Sequence, residues 1–215
     1  MQAFLQRAKQ VQRFTAGRAR LIFAIDATAS RQPTWDLACS FQADMFAACS
    51  DLNSLSMQLA YFRGLNELRA TDWVHDGQAL AQTMSRVRCE AGRTQIGRLL
   101  KSALKTHAQG AVSALVFIGD AVEESAPRLQ EIAGECRIKR LPLFLFQEGN
   151  DPHARSCMQK MAQLSGGAYE SFDQRSAQRL KDLLSAVARY AAGGRPALES
   201  MRSQGAQVLL QQLKP

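Results

Sequence analysis

Apolar residues fall along this chain in two rhythms. Residues 21–25, 114–118 and 141–146 are short continuous runs, rich in Leu, Ile and Phe. Runs of that length without alternation predict strands buried on both faces, as in a parallel sheet. Between them apolar positions recur at steps of three and four, which predicts helices. Leu37, Phe41, Met45 and Ala48 mark a helix over 33–49. Ile96, Leu99, Leu100, Ala103 and Leu104 mark another over 95–107, and Met158, Met161 and Leu164 a third over 152–164. Asp151-Pro152 supplies an N-cap and a first-turn proline for the third helix, and Gly166-Gly167 closes it. Asp173 is expected to cap a further helix running to about residue 192, closed by Gly193-Gly194.

Weaker strands complete the pattern. Leu55, Met57, Leu59 and Tyr61 alternate with Ser56, Gln58, Ala60 and Phe62. After a turn at 63–66, the more polar residues 67–74 suit an edge strand folded back as a hairpin. Residues 168–172 supply a last short strand. Strands alternating with helices predict an α/β fold: a doubly wound, mostly parallel sheet with one antiparallel edge strand and helices on both faces. The expected organisation is an amphipathic N-terminal helix over 1–17, a domain over 18–192 and a helical extension over 193–215. The extension carries Leu198, Met201, Val208, Leu209 and Leu213, an apolar stripe that predicts packing on the domain or on a second copy.

Composition narrows the class. Of 215 residues, 46% are apolar and 21% charged, enough for a globular core. No apolar run approaches the ~18–20 residues of a membrane span. The first 20 residues have no apolar core of a secretory signal. Five scattered cysteines without a CxxC pair argue against a disulfide framework and for a reducing compartment, so a cytoplasmic location is expected. The three histidines lie far apart, which leaves no local zinc motif. The net charge of +8 is patchy. Basic residues crowd 1–20 and 86–105, and an acidic stretch separates them. Aromatic residues are only 7% and are not interleaved with the basic runs, which disfavours a nucleic-acid stacking platform. Trp35 and Trp73 read as packing residues.

Candidate chemistry follows from the strand ends. In an open α/β sheet, ligands lie beyond the carboxyl ends of the strands. Asp26-Ala27-Thr28-Ala29-Ser30 follows the first run, and Gly119-Asp120 follows the run at 114–118. Gly92-Arg93-Thr94-Gln95 opens the helix between them, where Thr94 also fits an N-cap. These loops bring two carboxylates and three hydroxyls to one sheet edge. An all-oxygen set favours a hard cation, Mg²⁺ before Ca²⁺ or Mn²⁺. Glu123 and Glu124 follow closely; they are candidates to hydrogen-bond site waters or to favour the start of the helix after Ser125.

This arrangement resembles the von Willebrand factor type A (vWA) family, intracellular branch, with its metal-ion-dependent adhesion site. The family's DxSxS loop is matched by Asp26, Thr28 and Ser30, its second-loop threonine by Thr94, and its aspartate after the fourth strand by Asp120. Ala121 stands where the family often has glycine. The resemblance implies direct coordination of Mg²⁺ by the hydroxyls of Thr28, Ser30 and Thr94. Asp26 and Asp120 would act mostly through water. It further implies a non-enzymatic interaction module that captures an Asp or Glu of a protein partner. Such modules work in multiprotein complexes, often beside an AAA-type ATPase. Arg93 and Arg98 flank Thr94 and are expected to steer an acidic partner. The alternative is a Mg²⁺-dependent hydrolase or phosphotransferase using Asp26. The sequence lacks a P-loop, a Gly-x-Ser-x-Gly elbow and a placed general base, so no catalytic residue is assigned.

Overall fold

In the computed structural model, which describes residues 18–32, 35, 55–75, 77–173 and 177–213, the first apolar run becomes a central strand. The strands are β1 (Ala19–Asp26), β2 (Leu55–Arg63), β3 (Glu67–Ala70), β4 (Ala114–Gly119), β5 (Leu143–Glu148) and β6 (Ala168–Phe172). They form one sheet in the order β3-β2-β1-β4-β5-β6. Every neighbouring pair is parallel except β2–β3, which is antiparallel. The expected fold class is therefore the observed one. From β1 the chain steps first to β2 on one side, then returns to β4 on the other. The crevice beyond the carboxyl ends of β1 and β4 is thus a topological switch point.

The helices are α1 (Gly77–Ser85), α2 (Ile96–Gln109), α3 (Ala126–Ile138), α4 (Pro152–Ser165), α5 (Ala177–Glu199) and α6 (Gln204–Gln212). Side chains alternate along each strand, so one run feeds two cores. Leu21, Phe23 and Ile25 pack with Leu80 and Met84 of α1, Leu183 and Val187 of α5, and Leu209 of α6. Ile22 and Ala24 face the other way, toward Leu99 of α2, Ile132 of α3 and Met158 of α4. Burial of each large apolar side chain contributes about 1.5–3 kcal/mol. This two-sided demand explains why the central strands read as continuous apolar runs.

Three details differ from the sequence expectation. The edge strand stops at Ala70; Val74 returns to β2 only as an isolated bridge with Met57. α1 was not expected: its polar residues leave only Leu80 and Met84 buried, too few to show a period. The helical extension is not one helix. Gly194, at φ 68°, kinks the chain inside the span of α5, and α6 begins afresh where the Ser203 hydroxyl accepts the Ala206 N–H. The helices expected over 1–17 and 33–49 lie outside the described residues, apart from Trp35. So do residues 174–176, on which the expected Asp173 cap depends.

The C-terminal segment docks on the rest of the chain. Leu198, Ala206, Leu209 and Leu213 are buried in the first core, and Met201 packs against it. Asp182 of α5 accepts the Gly205 N–H at 2.6 Å. Gln212 reaches the edge strand β6, accepting the Tyr169 N–H and donating to the Tyr169 carbonyl, both at 2.9 Å. Arg195 donates to the carbonyl of Leu213.

Candidate functional site

β1 ends in Asp26, which is fully buried beside its neighbour strand. The register pairs Ile25 with Ile118, so Gly119 stands level with Asp26. A Cβ on Gly119 would lie 2.7 Å from the Phe117 ring and 3.6 Å from the Asp26 Cβ. The glycine therefore makes room for the Phe117 ring, and Asp26 lies in ordinary contact distance of it. Asp26 Oδ1 accepts the Thr28 N–H at 2.8 Å, which turns the loop tightly. That turn brings the Thr28 and Ser30 hydroxyls within 3.3 Å of each other. Thr28 is 7% exposed, whereas Ser30 is open to solvent.

The second loop is woven between the first loop and the β2–β3 turn. Glu90 N–H donates to Ala27 O at 3.0 Å, and Thr28 forms an isolated bridge with Glu90. Arg93 N–H donates to Gly64 O at 3.3 Å. Gly92 passes so close to that turn that a Cβ there would lie 1.9 Å from Gly64 O. Gln95, 8% exposed, reaches the carbonyls of Arg63, Gly64 and Glu67 through its amide nitrogen. Arg98 donates to Asn66 O at 2.6 Å and to Gln95 Oε1 at 2.9 Å. Arg98 thus fastens the hairpin turn, while Arg93 extends an exposed side chain beside it.

The third loop carries Asp120 and then two glutamates. Asp120 Oδ1 is buried and accepts no hydrogen bond among the described residues. Glu123 accepts the Thr94 N–H at 2.8 Å, and its own N–H donates to Thr94 Oγ1 at 3.1 Å. Glu124 accepts the Ile96 N–H at 2.5 Å and the Gly97 N–H at 2.9 Å. The first turn of α2 is therefore capped from across the site. Gln95, not Thr94, occupies its N-cap position and makes no side-chain cap bond. The sequence reading placed Glu123 and Glu124 near the site or at the helix after Ser125 but missed these partners. They lie 28 and 29 residues away in the chain, beyond any local motif.

The loops bearing Asp26, Thr28, Ser30, Thr94 and Asp120 are thus tied to one another at the switch point. Among the described residues no three His, Cys, Asp or Glu side chains converge as a metal cluster. The donor set here is different in kind: two carboxylates and three hydroxyls, all hard oxygens that suit Mg²⁺ or Ca²⁺ rather than a softer metal. The buried Asp120 oxygen without a donor fits a cation too, since buried carboxylate oxygens are rarely left unmatched.

Two buried thiols lie elsewhere. Burial pushes the Cys136 thiol up to about 12 and raises that of Cys157. Neither is in a disulfide, nor is the half-buried Cys89. No helix among the described residues is long and apolar enough to cross a membrane.

No protein-family model matches the sequence, and no curated protein matches it. Solved structures do. The SpRpn10 VWA domain superposes with a TM-score of 0.60 at 11% identity, covering 75% of this chain and 94% of that one. The pilus adhesin SpaC from Lactobacillus rhamnosus GG gives 0.61 at 11% identity over 81% of this chain; the match spans only 30% of the adhesin. The ArnB paralog VWA2 from Sulfolobus acidocaldarius gives 0.54 at 10% identity, covering 79% of this chain and 45% of that one. Sheet order, the single antiparallel edge strand and these neighbours agree: the chain has the fold of a von Willebrand factor type A domain.

Proposed function

We propose that this protein is a non-enzymatic interaction module that holds one divalent cation, Mg²⁺ by preference, and uses it to capture an acidic side chain of a protein partner. The hydroxyls of Thr28, Ser30 and Thr94 would hold the ion directly, with Asp26 and Asp120 acting mostly through water. The observation that carries this reading is the Asp120 Oδ1 atom. It is buried at the switch point, accepts no hydrogen bond among the described residues, and belongs to a loop tied to Thr94. The vWA fold of the neighbours supports an interaction role.

The cation, when bound, supplies an incompletely neutralised positive charge with room for one more oxygen ligand. The chain's own residues do the rest. Neutral hydroxyls keep the first shell from cancelling that charge, so an anionic oxygen is the favoured newcomer. Exposed Arg93 adds positive potential at the rim and speeds encounter with an acidic surface. Arg98 adds charge as well, although its guanidinium also fastens the hairpin. Scattered cysteines without a CxxC pair support a cytoplasmic setting, and assembly beside an AAA-type ATPase is the setting we favour.

Calorimetric titration with MgCl₂ and MnCl₂ tests the reading. One saturable site is expected, lost in Asp120→Ala and Thr94→Ala while the circular dichroism spectrum persists. A wild-type protein that binds neither ion at millimolar concentration would remove the adhesion-site reading. A phosphatase and nuclease screen runs beside it; Mg²⁺-dependent turnover lost in Asp26→Ala would favour an enzyme.

A further inference from the structure

We infer that Glu123 and Glu124 are positioning residues that clasp the Thr94 loop to the Asp120 loop, so that the two halves of the cation site are assembled before any ion arrives. The inference rests on the proposed cation site and concerns residues outside its ligand set.

Thr94 and Asp120 belong to elements with no local reason to stay in register. Thr94 precedes α2, whereas Asp120 follows β4, and the chain between them makes the whole of α2 and β4. Two consecutive glutamates close that gap. Glu123 and Thr94 exchange bonds in both directions: side-chain carboxylate to backbone N–H, and backbone N–H to side-chain hydroxyl. Such a reciprocal pair fixes direction as well as distance. The adjacent Glu124 takes two N–H groups of the first turn of α2, which no residue within that helix caps. A carboxylate at a helix N-terminus is further favoured by the helix dipole.

The bond to Thr94 Oγ1 has a chemical consequence. A threonine hydroxyl has two lone pairs and one proton. The Glu123 N–H occupies one lone pair, which leaves one for a cation and limits the rotation of the hydroxyl. Glu123 itself is therefore not cast as a ligand: its carboxylate is engaged with the Thr94 N–H. Its role is geometric, and a neutral acceptor of the same shape would serve. That separates it from a residue needed for its charge.

The test compares Glu123→Ala, Glu123→Gln and Glu124→Ala in the full chain, with Mg²⁺ and Mn²⁺ as the titrants. Calorimetry gives affinity, and melting in EDTA gives the stability of the metal-free fold. Loss of a residue that orients a ligand typically weakens metal binding about 10–100-fold, and that range is expected for Glu123→Ala. Glu123→Gln should restore affinity to within about threefold of wild type, because its amide oxygen still accepts the Thr94 N–H. Glu124→Ala should weaken binding less than Glu123→Ala. Wild-type affinity in Glu123→Ala would overturn the clasp. Equal loss in Glu123→Gln and Glu123→Ala would overturn it as well, showing a charge requirement instead. If Glu123→Ala fails to fold, Glu123→Gln still decides, because loss of affinity in a folded Gln variant contradicts the geometric role. Wild-type protein that binds neither ion refutes the cation site itself, and this inference with it, a result distinct from either variant outcome.

Discussion

The loops at the switch point and the C-terminal segment are both held by residues remote in the chain, by opposite means. The C-terminal segment is held mainly by burial: Leu198, Ala206, Leu209 and Leu213 sink into the core under α5, with a few polar ties at the rim. The loops are held by direction: Glu123, Glu124 and Gln95 spend their polar atoms on N–H groups and carbonyls of other loops. Burial is strong and forgiving of small displacements, since it depends on area. Hydrogen bonds contribute less net free energy but constrain angles. A docked helix needs only the first property. The set of oxygens that we propose meets one small ion needs the second.

The contrast breaks first where burial is largest. Leu209→Ala should cost about 2–5 kcal/mol, as large-to-small changes in packed cores do. Urea unfolding will show it, and cation affinity should be unchanged in the folded protein. Equal loss of affinity would mean that the two regions are coupled. Next, Glu124→Ala removes a carboxylate that accepts two N–H groups and should cost about 1–2 kcal/mol, again read by urea midpoints. Here affinity and stability should both fall, whereas Leu209→Ala lowers stability alone. Asp182→Ala loses one bond to Gly205 and should cost about 1 kcal/mol with no effect on the ion.

A last prediction concerns pH. The Cys136 thiol is raised by burial, so its neutral form is favoured by folding. Its contribution is complete below the ordinary thiol range and is lost as pH rises from about 9 to about 12. The urea midpoint should therefore decline through that window, and Cys136→Ala should flatten the decline. In a Cys39→Ser, Cys49→Ser background, a thiol reagent at neutral pH should modify Cys89 before Cys136 and Cys157.

How much of this was legible in the sequence follows the same division. Buried parallel strands leave continuous apolar runs, so β1, β4 and β5 were readable within two residues of their ends. Asp151, Pro152 and Gly166 punctuate α4 as their chemistry dictates: Asp151 caps Ala154 at 2.6 Å, and Gly166 is left-handed. α1 was not readable, because helices that bury two residues have no period to show. The break between Glu199 and Gln204 was hidden inside one apolar stripe, although Ser203 marks it in retrospect. For the candidate site, the loop positions of Asp26, Thr28, Ser30 and Asp120 after strands and of Thr94 before a helix were readable. The clasp was not, since a glutamate followed by a glutamate has many solvated meanings and its partners are remote in the chain.

Gln212 has a consequence for how copies of this protein meet. A strand at the margin of a sheet offers a row of amides to whatever extended chain arrives next, and so serves as a template for stacking. At Tyr169 that offer is already taken: the carboxamide of Gln212 meets the backbone N–H and carbonyl as a neighbouring peptide group would. The side chain is in effect a one-residue counterfeit strand, delivered by a helix and too short to be extended. It turns a growth front into a terminus at Tyr169 for as long as α6 remains seated.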